Sequence, residues 1–265
     1  MGKLQELAVS SAPRFKCLIP STGKTVKLRS FLVKEQKLLL MAKESESNVT
    51  EAVVGAVTQL IQNCVLDDFD TSKIPSFDVE YMFIQLFINS TASKFTTAHY
   101  QCRADKKDQD GNIILDENNE PVKCNDINKV RIDLSEARIP TSEIKTGVIE
   151  VNSDTIDKIV FRYPSFDEMT KVESSLASDN LDAAFQVYGK CLLSIYKKNG
   201  EVMVPDEDYD LQDAIEFLEY MPSSVFEKIT EFFGDAPTIS SDVKFKCKAC
   251  GNEAELKLRG LEDFF

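Results

Sequence analysis

The sequence is poor in glycine, proline and histidine. Its 265 residues include ten Gly, nine Pro and one His. So few Gly and Pro residues exclude collagen-like and linker-dominated architectures, and they lead us to expect several long helices. A single histidine leaves no convincing Ser-His-Asp or Cys-His pair, and no nucleophile-elbow motif is present, so we predict that the chain is not an enzyme.

Long apolar runs are also missing. The N-terminal MGKLQELAVSSAPRFK lacks the apolar region of a secretory signal. The densest apolar run, residues 81–88, is too short to cross a bilayer. We therefore expect a soluble protein of the cytosol. An odd number of cysteines, seven, without a signal peptide argues against a disulfide framework and favours metal ligation or buried thiols.

Acidic residues outnumber basic residues, with 44 Asp and Glu against 31 Lys and Arg. The formal net charge is −13 and the pI is about 4.7. Clustered Lys and Arg are what attract phosphate backbones and anionic membrane surfaces, so neither is an expected partner. The hydrophobic content of 43% is enough to fill a core. We expect the partners to be proteins.

Helical and strand-like patterns alternate in blocks along the chain. A hairpin is predicted over 14–32, and helices over 34–43, 48–64 and 75–88. Residues 96–151 and the following KIVFRYP are strand-like and rich in turns. Helices return at Ser165, over 181–195 with a cationic end and cap at 197–200, and over 210–221 and 223–233. Two capping boxes support these assignments, Asn48 with Glu51 and Ser165 with Glu168. Cys64 and Cys191 lie on apolar helix faces and are predicted to be core.

The C-terminal stretch FKCKACGNEAELKLRGLEDFF contains the clearest chemical motif. A tight turn at Cys247-Lys-Ala-Cys250-Gly251 directs two thiolates at one point, as in a zinc knuckle. A redox Cys-x-x-Cys normally begins a helix in a βαβ unit, whereas this motif has strand-like sequence on both sides. The motif therefore predicts half of a zinc site.

For the other half we predict Cys102 and Cys124. Cys102 ends the strand-like AHYQC and Cys124 precedes the strand-like VRIDL, which parallels the strand after Cys250. The segment between them fits a hairpin excursion that brings its ends together at small entropic cost. Two alternatives stay open: His99 as a substitute ligand, and four reduced thiols without metal.

Two other motifs are weaker. KKDQDGNIILDE resembles a calcium loop, but Lys106 occupies the first ligand position, so a hairpin turn is the better interpretation. Gly23-Lys24-Thr25 resembles a phosphate-binding loop, but Ile19 replaces the required glycine.

These patterns predict an α+β fold: two mainly helical blocks around a small antiparallel β unit, closed by a C-terminal zinc-ribbon-like hairpin. The predicted domains are 1–95, a hairpin plus helical block; 96–163 with 240–265, the β and zinc-ribbon-like unit; and 164–239, a second helical block.

Three segments together resemble the T4-type bacteriophage baseplate hub assembly protein family. They are IPSTGKTVKLRSFLVKEQKLLLMA near the start, RYPSFDEM after the β unit, and CKACGNEAELKLRGLEDFF at the end. Their order carries the resemblance, which spans most of the chain. Relatives carry a second compact Cys-x-x-Cys, whereas here Cys102 and Cys124 are far apart in sequence.

The resemblance implies a phage tail morphogenesis factor that acts in the host cytoplasm. It would be a chaperone or assembly catalyst for the baseplate hub or tape-measure protein, stabilised by structural Zn²⁺. One alternative is a permanent structural subunit of the virion baseplate. A second is a zinc-ribbon nucleic-acid binder, supported by the local basic residues Lys244, Lys246, Lys248, Lys257 and Arg259 but opposed by a ribbon without Trp or Tyr.

The C-terminal segment GLEDFF offers two interpretations. Leu261, Phe264 and Phe265 are candidate partner-binding residues in a docking tail. In the alternative, the phenylalanines fold back onto the core of the chain itself.

Overall fold

The computed structural model describes residues 2–43, 49–91, 93–108, 111–166, 168–169 and 181–264. The helices, in chain order, are α1 (Lys3–Ser10), α2 (Val33–Lys43), α3 (Val49–Cys64), α4 (Ser76–Ser90), α5 (Leu181–Cys191), α6 (Leu211–Glu219) and α7 (Ser223–Gly234). No helix within these residues has the length and apolar character needed to span a membrane.

The strands are all paired antiparallel. They are β1 (Arg14–Leu18), β2 (Thr25–Arg29), β3 (Phe95–Gln101), β4 (Ile127–Asp133), β5 (Gly147–Glu150), β6 (Ile156–Phe161), β7 (Leu192–Lys197), β8 (Val202–Met203), β9 (Ser240–Lys246) and β10 (Glu253–Arg259). The predicted α+β class is confirmed.

The chain divides into two units, each formed from two separate segments. Unit 1 comprises Met1–Ser90 and Ile139–Thr238, and unit 2 comprises Thr91–Arg138 and Ile239–Phe265. The sequence predicts three domains, whereas the two units group both predicted helical blocks together and place residues 139–163 with them in unit 1. The reason is strand pairing, because β5 and β6 continue into a four-stranded sheet of order β5-β6-β7-β8.

Unit 1 contains the helices, the β1–β2 hairpin and the four-stranded sheet. Its core includes fully buried residues of α3 and α4, among them Leu60, Ile61, Phe77 and Met82. The apolar spacing in α3 accounts for this burial, since residues three and four apart share a helix face. Cys64 and Cys191 are fully buried, which confirms the prediction that both are core.

The predicted helix over 181–195 is wrong at its C-terminal end. The helix ends at Cys191, and residues Leu192–Lys197 form β7, which pairs with β6. The predicted cationic end and cap at 197–200 is wrong for the same reason. Lys197 N donates to Glu201 O at 2.9 Å and Gly200 has φ 89°, so these residues form the turn between β7 and β8.

Of the two predicted capping boxes, one is present in the structure. Ser165 N donates to Glu168 Oε2 at 2.8 Å, and Glu168 N donates to Ser165 Oγ at 3.4 Å. Arg162 adds two hydrogen bonds to the Glu168 carboxylate, at 2.7 and 2.9 Å. Asn48, the cap of the other predicted box, lies outside the described residues.

Unit 2 contains two β-hairpins and two 3₁₀ turns, Leu134–Glu136 and Leu261–Asp263. β3 pairs with β4 and β9 pairs with β10, in register over seven residues each. Arg138 and Ser240 form a bridge between the segments that carry the hairpins. Ile132, Leu134 and Phe264 are buried. A unit this small has a limited apolar core.

Candidate metal centre

Four cysteines lie at equivalent places in the two hairpins of unit 2. Cys102 directly follows β3, and Cys124 lies shortly before β4. Cys247 directly follows β9, and Cys250 lies shortly before β10. Each hairpin therefore presents a pair of thiols at its turn end.

Two backbone hydrogen bonds close the β9–β10 turn around Cys247 and Cys250. Gly251 N donates to Cys247 O at 2.9 Å, and Cys247 N donates to Asn252 O at 2.8 Å. Gly251 has φ 70°, a left-handed conformation that glycine adopts without strain. The glycine after the second cysteine is thus required by the shape of the turn.

The β3–β4 hairpin repeats this geometry around an insertion. Asn125 N donates to Cys102 O at 2.9 Å, and Cys102 N donates to Asp126 O at 2.9 Å. Asn125 has φ 54°, and asparagine is one of the few residues besides glycine that tolerate this region. Asn125 therefore corresponds to Gly251, and Cys124 corresponds to Cys250.

The insertion between Cys102 and Cys124 folds back on itself, which brings the two cysteines together. Its backbone forms the bridges Asp105 with Lys123, Lys107 with Ile113, and Leu115 with Pro121. Its base is held by Cys124 N, which donates to Ala104 O at 2.8 Å. Residues 103–123 thus occupy the position that two residues, 248–249, occupy in the β9–β10 turn.

Asp108, from the pattern that suggested a calcium loop, and the neighbouring Asp116 form turns in this insertion, while Asp110 of that pattern lies outside the described residues. Asp108 Oδ1 accepts from Asn112 N at 2.9 Å. Asp116 Oδ1 accepts from Asn118 N and Glu120 N, each at 2.9 Å. These local bonds are typical of Asx turns and agree with the hairpin interpretation.

The sulfur atoms of the four predicted ligands converge. Cys102 Sγ lies 3.8 Å from Cys250 Sγ, and Cys124 Sγ lies 3.9 Å from Cys247 Sγ. All four sulfurs are within 4.8 Å of one another. A zinc ion with Zn–S bonds of about 2.3 Å in a tetrahedron separates its sulfurs by about 3.8 Å. All four thiols are free of disulfides, and three of them are buried.

A buried asparagine supports the cluster. Asn128 in β4 is 3% exposed, and its Nδ2 donates to Cys247 Sγ at 3.2 Å. Its Oδ1 accepts from Lys248 N at 2.9 Å, inside the β9–β10 turn. One side chain therefore orients a thiol and fixes the backbone that carries it, as outer groups do around metal ligands.

The thiols influence one another electrostatically. A backbone hydrogen bond from Cys250, joined by the bond from Asn128, lowers the pKa of Cys247 to about 6 against the effect of burial. A backbone bond from Ala104 lowers the pKa of Cys102, but burial and the neighbouring thiols outweigh it and raise that pKa to about 12. One thiolate thus forms readily and opposes ionisation of the next. A divalent cation among the sulfurs removes this repulsion.

The other predicted candidates lie elsewhere. His99, the substitute ligand, is exposed in β3 opposite Lys129 and is not among the converging groups. Leu261 and Phe264 are buried, with 9% and 2% exposure, which favours packing of this segment onto the chain over a docking tail. Phe265 lies outside the described residues.

Two residues of the centre were missed by sequence reasoning. Asn125 carries a signal that was available, because an asparagine directly after Cys124 parallels Gly251 after Cys250. Asn128 carries no such signal, because it reaches Cys247 only through the packing of two hairpins that are distant in sequence.

The comparisons with known proteins agree with the resemblance found in the sequence. A family model described as T4 bacteriophage base plate protein matches residues 12–265. Searches of curated proteins and of solved structures gave no match. The matched range includes all of unit 2 with its four clustered cysteines, and unit 1 from residue 12 onward. The chain therefore belongs to the T4 bacteriophage base plate protein family, and its role lies in the phage baseplate.

Proposed function

We propose that the chain is a non-enzymatic morphogenesis factor of the phage tail, which acts in the host cytoplasm as a chaperone or assembly catalyst for the baseplate hub or tape-measure protein. The observation that carries this proposal is the family match over residues 12–265. A net charge of −13 suits a protein-binding role better than contact with nucleic acid or membrane.

We also propose that unit 2 is stabilised by one structural Zn²⁺ held by Cys102, Cys124, Cys247 and Cys250, in a split zinc ribbon. Four sulfur donors at tetrahedral spacing are the donor set that zinc prefers in closed, structural sites. No donor position remains for substrate, which fits a structural and non-catalytic metal. The ion would join the two chain segments from which unit 2 is built.

The charge pattern of the β9–β10 hairpin opposes the nucleic-acid alternative. Lys246 lies opposite Glu253, and Lys244 lies opposite Glu255. Lys257 lies opposite Asp242. Cross-strand pairs of opposite charge neutralise one another, so the hairpin offers little basic surface for phosphates.

Co-expression tests the assembly role. The tagged protein, produced together with the hub and tape-measure proteins of its phage, should retain one of them in a pull-down after a high-salt wash. Retention of no tail protein would contradict the proposal. A Cys250→Ser variant tests whether the metal-bound fold of unit 2 is needed for that association.

Mass spectrometry of purified virions separates the assembly factor from a permanent baseplate subunit. A transient factor should be absent from mature particles or far below the stoichiometry of the hub proteins. Presence at the stoichiometry of a baseplate component would instead establish the structural-subunit alternative.

A further inference from the structure

The insertion between Cys102 and Cys124, residues 103–123, supplies none of the four sulfur atoms of the proposed metal centre. The β9–β10 hairpin brings Cys247 and Cys250 into the same cluster with only Lys248 and Ala249 between them. The metal centre therefore does not require an insertion of this length, and its purpose needs another explanation.

The backbone of the insertion is hydrogen-bonded to itself. Three short extended segments meet in a closed ring, in which Lys106 N donates to Val122 O at 2.7 Å, Val122 N donates to Ile114 O at 2.9 Å, and Ile114 N donates to Lys106 O at 2.9 Å. The side chains of Asp108 and Asp116 hold the turns that connect these segments. Each of the three ring residues thus uses both its N–H and its C=O group within the insertion.

The insertion has apolar side chains on its outside and no buried core. None of its described residues from Arg103 to Pro121 is buried. Ile113, Ile114 and Leu115 follow one another and are 47%, 41% and 48% exposed, the longest run of exposed large apolar residues in the described part of the chain. Successive residues of an extended segment point to opposite faces, so apolar surface is accessible on both faces of this segment. Contiguous exposed apolar surface of this kind is typical of protein-binding sites.

The turns on either side of this apolar segment are acidic. Residues 108–120 contain five Asp or Glu and no Lys or Arg. The basic residues of the insertion precede or follow this stretch: Arg103, Lys106, Lys107 and Lys123. Lys107 forms a bridge with Ile113, so the more negative border is at Leu115, where Asp116 and Glu117 line a shallow depression together with that leucine. The charge of this border is complementary to a basic surface.

We propose that the insertion binds a folded partner protein, at a surface patch where apolar side chains are bordered by Lys or Arg. The segment 113–115 contacts the apolar side chains of the patch, and its basic residues pair with Asp116 and Glu117. A strand of the partner does not add at the ring, because the ring residues already use their N–H and C=O groups. This inference specifies the partner surface for the assembly role proposed above, and it rests on that role for the choice of a tail protein as the partner.

Fluorescence anisotropy with the full-length protein, at about 0.15 M salt to screen distant charges, tests the chemistry of the partner. The probe is a labelled amphipathic helical peptide of leucine and lysine, and its counterpart has glutamate in place of lysine. The lysine peptide should bind at least about 10-fold more tightly than the glutamate peptide. No binding of the lysine peptide, or equal binding of the two, overturns the proposal.

A matched pair of double variants separates the insertion from general charge attraction. Asp116→Asn with Glu117→Gln retains the Oδ1 acceptor of the turn and should weaken binding of the lysine peptide about 5-fold. Glu219→Gln with Glu227→Gln removes the same charge from two exposed carboxylates of unit 1 and should leave the affinity within about 2-fold. Equal losses in both variants overturn the site.

A second matched pair tests the apolar contact. Ile113→Ser with Leu115→Ser should weaken binding of the lysine peptide at least about 10-fold, because the exposed apolar surface of the insertion is lost. Leu18→Ser with Leu193→Ser changes two leucines of unit 1 with similar exposure, 48% and 43%, and should leave the affinity within about 2-fold. Unchanged affinity in the insertion variant overturns the proposal.

Replacement of the whole insertion separates partner binding from metal binding. A variant in which Lys-Ala, the residues at 248–249, takes the place of residues 103–123 should keep about one zinc per chain and lose the lysine peptide. Loss of zinc would show that the insertion is needed to form the metal centre, which overturns this inference.

The co-expression pull-down distinguishes failure of this inference from failure of the proposed assembly role. Retention of a tail protein by the unaltered protein and by the Leu18 and Leu193 control, but not by the Ile113 and Leu115 variant, supports both. Equal retention by all three overturns the role of the insertion and leaves the assembly role intact. If the unaltered protein retains no tail protein, the assembly role fails, and the peptide affinities decide whether the insertion is a binding site.

Discussion

Replacement of Cys102 by serine should abolish zinc binding as completely as replacement of Cys250. The two residues are 148 positions apart in the sequence, yet their sulfurs lie 3.8 Å apart. A zinc site of four ligands that loses one thiolate loses both a bond and the charge balance of the centre. If the cation joins two chain segments, either one of these changes separates the hairpins.

The expected loss of stability follows from binding linkage. At free zinc about 1,000-fold above the dissociation constant, a site that exists only in the folded state contributes about 4 kcal/mol to the free energy of unfolding. In a domain of about 60–100 residues, each kcal/mol shifts the melting temperature by about 4–8 °C. We therefore expect the melting temperature of unit 2 to fall by about 16–32 °C in Cys102→Ser.

Metal analysis and calorimetry in a zinc buffer provide the assay. The unaltered protein should carry about one zinc per chain, by the four-ligand rule. Cys64→Ser, which changes a fully buried thiol outside the cluster, is the control and should keep the metal. If Cys102→Ser retains zinc while Cys250→Ser loses it, the assignment of Cys102 as a ligand is refuted.

Three further changes test the packing. Burial opposes ionisation of Glu168, but the hydrogen bonds from Arg162 and Ser165 outweigh it and lower the pKa of Glu168 to about 2. The contribution of this carboxylate to the free energy of unfolding is therefore complete above pH 4.5 and is lost as the pH falls toward 2. Glu168→Gln should therefore lower the free energy of unfolding, measured by urea denaturation, by about 2–3 kcal/mol at pH 7 and by about half as much at pH 3. Phe264→Ala, which empties a buried site, should cost about 3 kcal/mol by the same measurement. Gly147→Ala should cost about 1–3 kcal/mol in thermal unfolding, because its Cβ would overlap the carbonyl oxygen of Phe161 across the β5–β6 pair.

Each of these predictions has an outcome that contradicts it. A Glu168→Gln effect that is the same at pH 7 and pH 3 would exclude the ion pair with Arg162 as its source. Unchanged stability in Phe264→Ala, with weaker binding of a tail protein, would restore the docking tail. A Gly147→Ala variant as stable as the parent would show that the sheet has room at this position, with Gly55→Ala, where a Cβ meets nothing within 4 Å, as the control.

The sequence predicts the centre well where the signal is local. The geometry of the turn at Cys247-x-x-Cys250-Gly251 depends only on neighbouring residues, so it can be inferred from the cysteine spacing and from the glycine. Cys102 and Cys124 were found by the parallel between the strands that flank each pair. The fold of the insertion between them could be expected only as a loop with neighbouring ends.

The strand β7 shows where local patterns fail. The apolar residues of β7 continue the three- and four-residue spacing of α5. The sequence of residues 181–195 therefore fits a helix throughout, although its last part forms a strand. Pairing with β6 decides the outcome, and that contact is distant in sequence. The same distant pairing places β5 and β6 in the four-stranded sheet of unit 1, whereas their sequence pattern groups them with the preceding strands.

Zinc K-edge X-ray absorption on the purified protein tests the central claim most directly. Convergence of four thiolates predicts a single shell of four sulfur atoms at about 2.3 Å, without nitrogen or oxygen. A shell of two sulfurs completed by lighter atoms would mean that the pairs from the two hairpins do not share one ion.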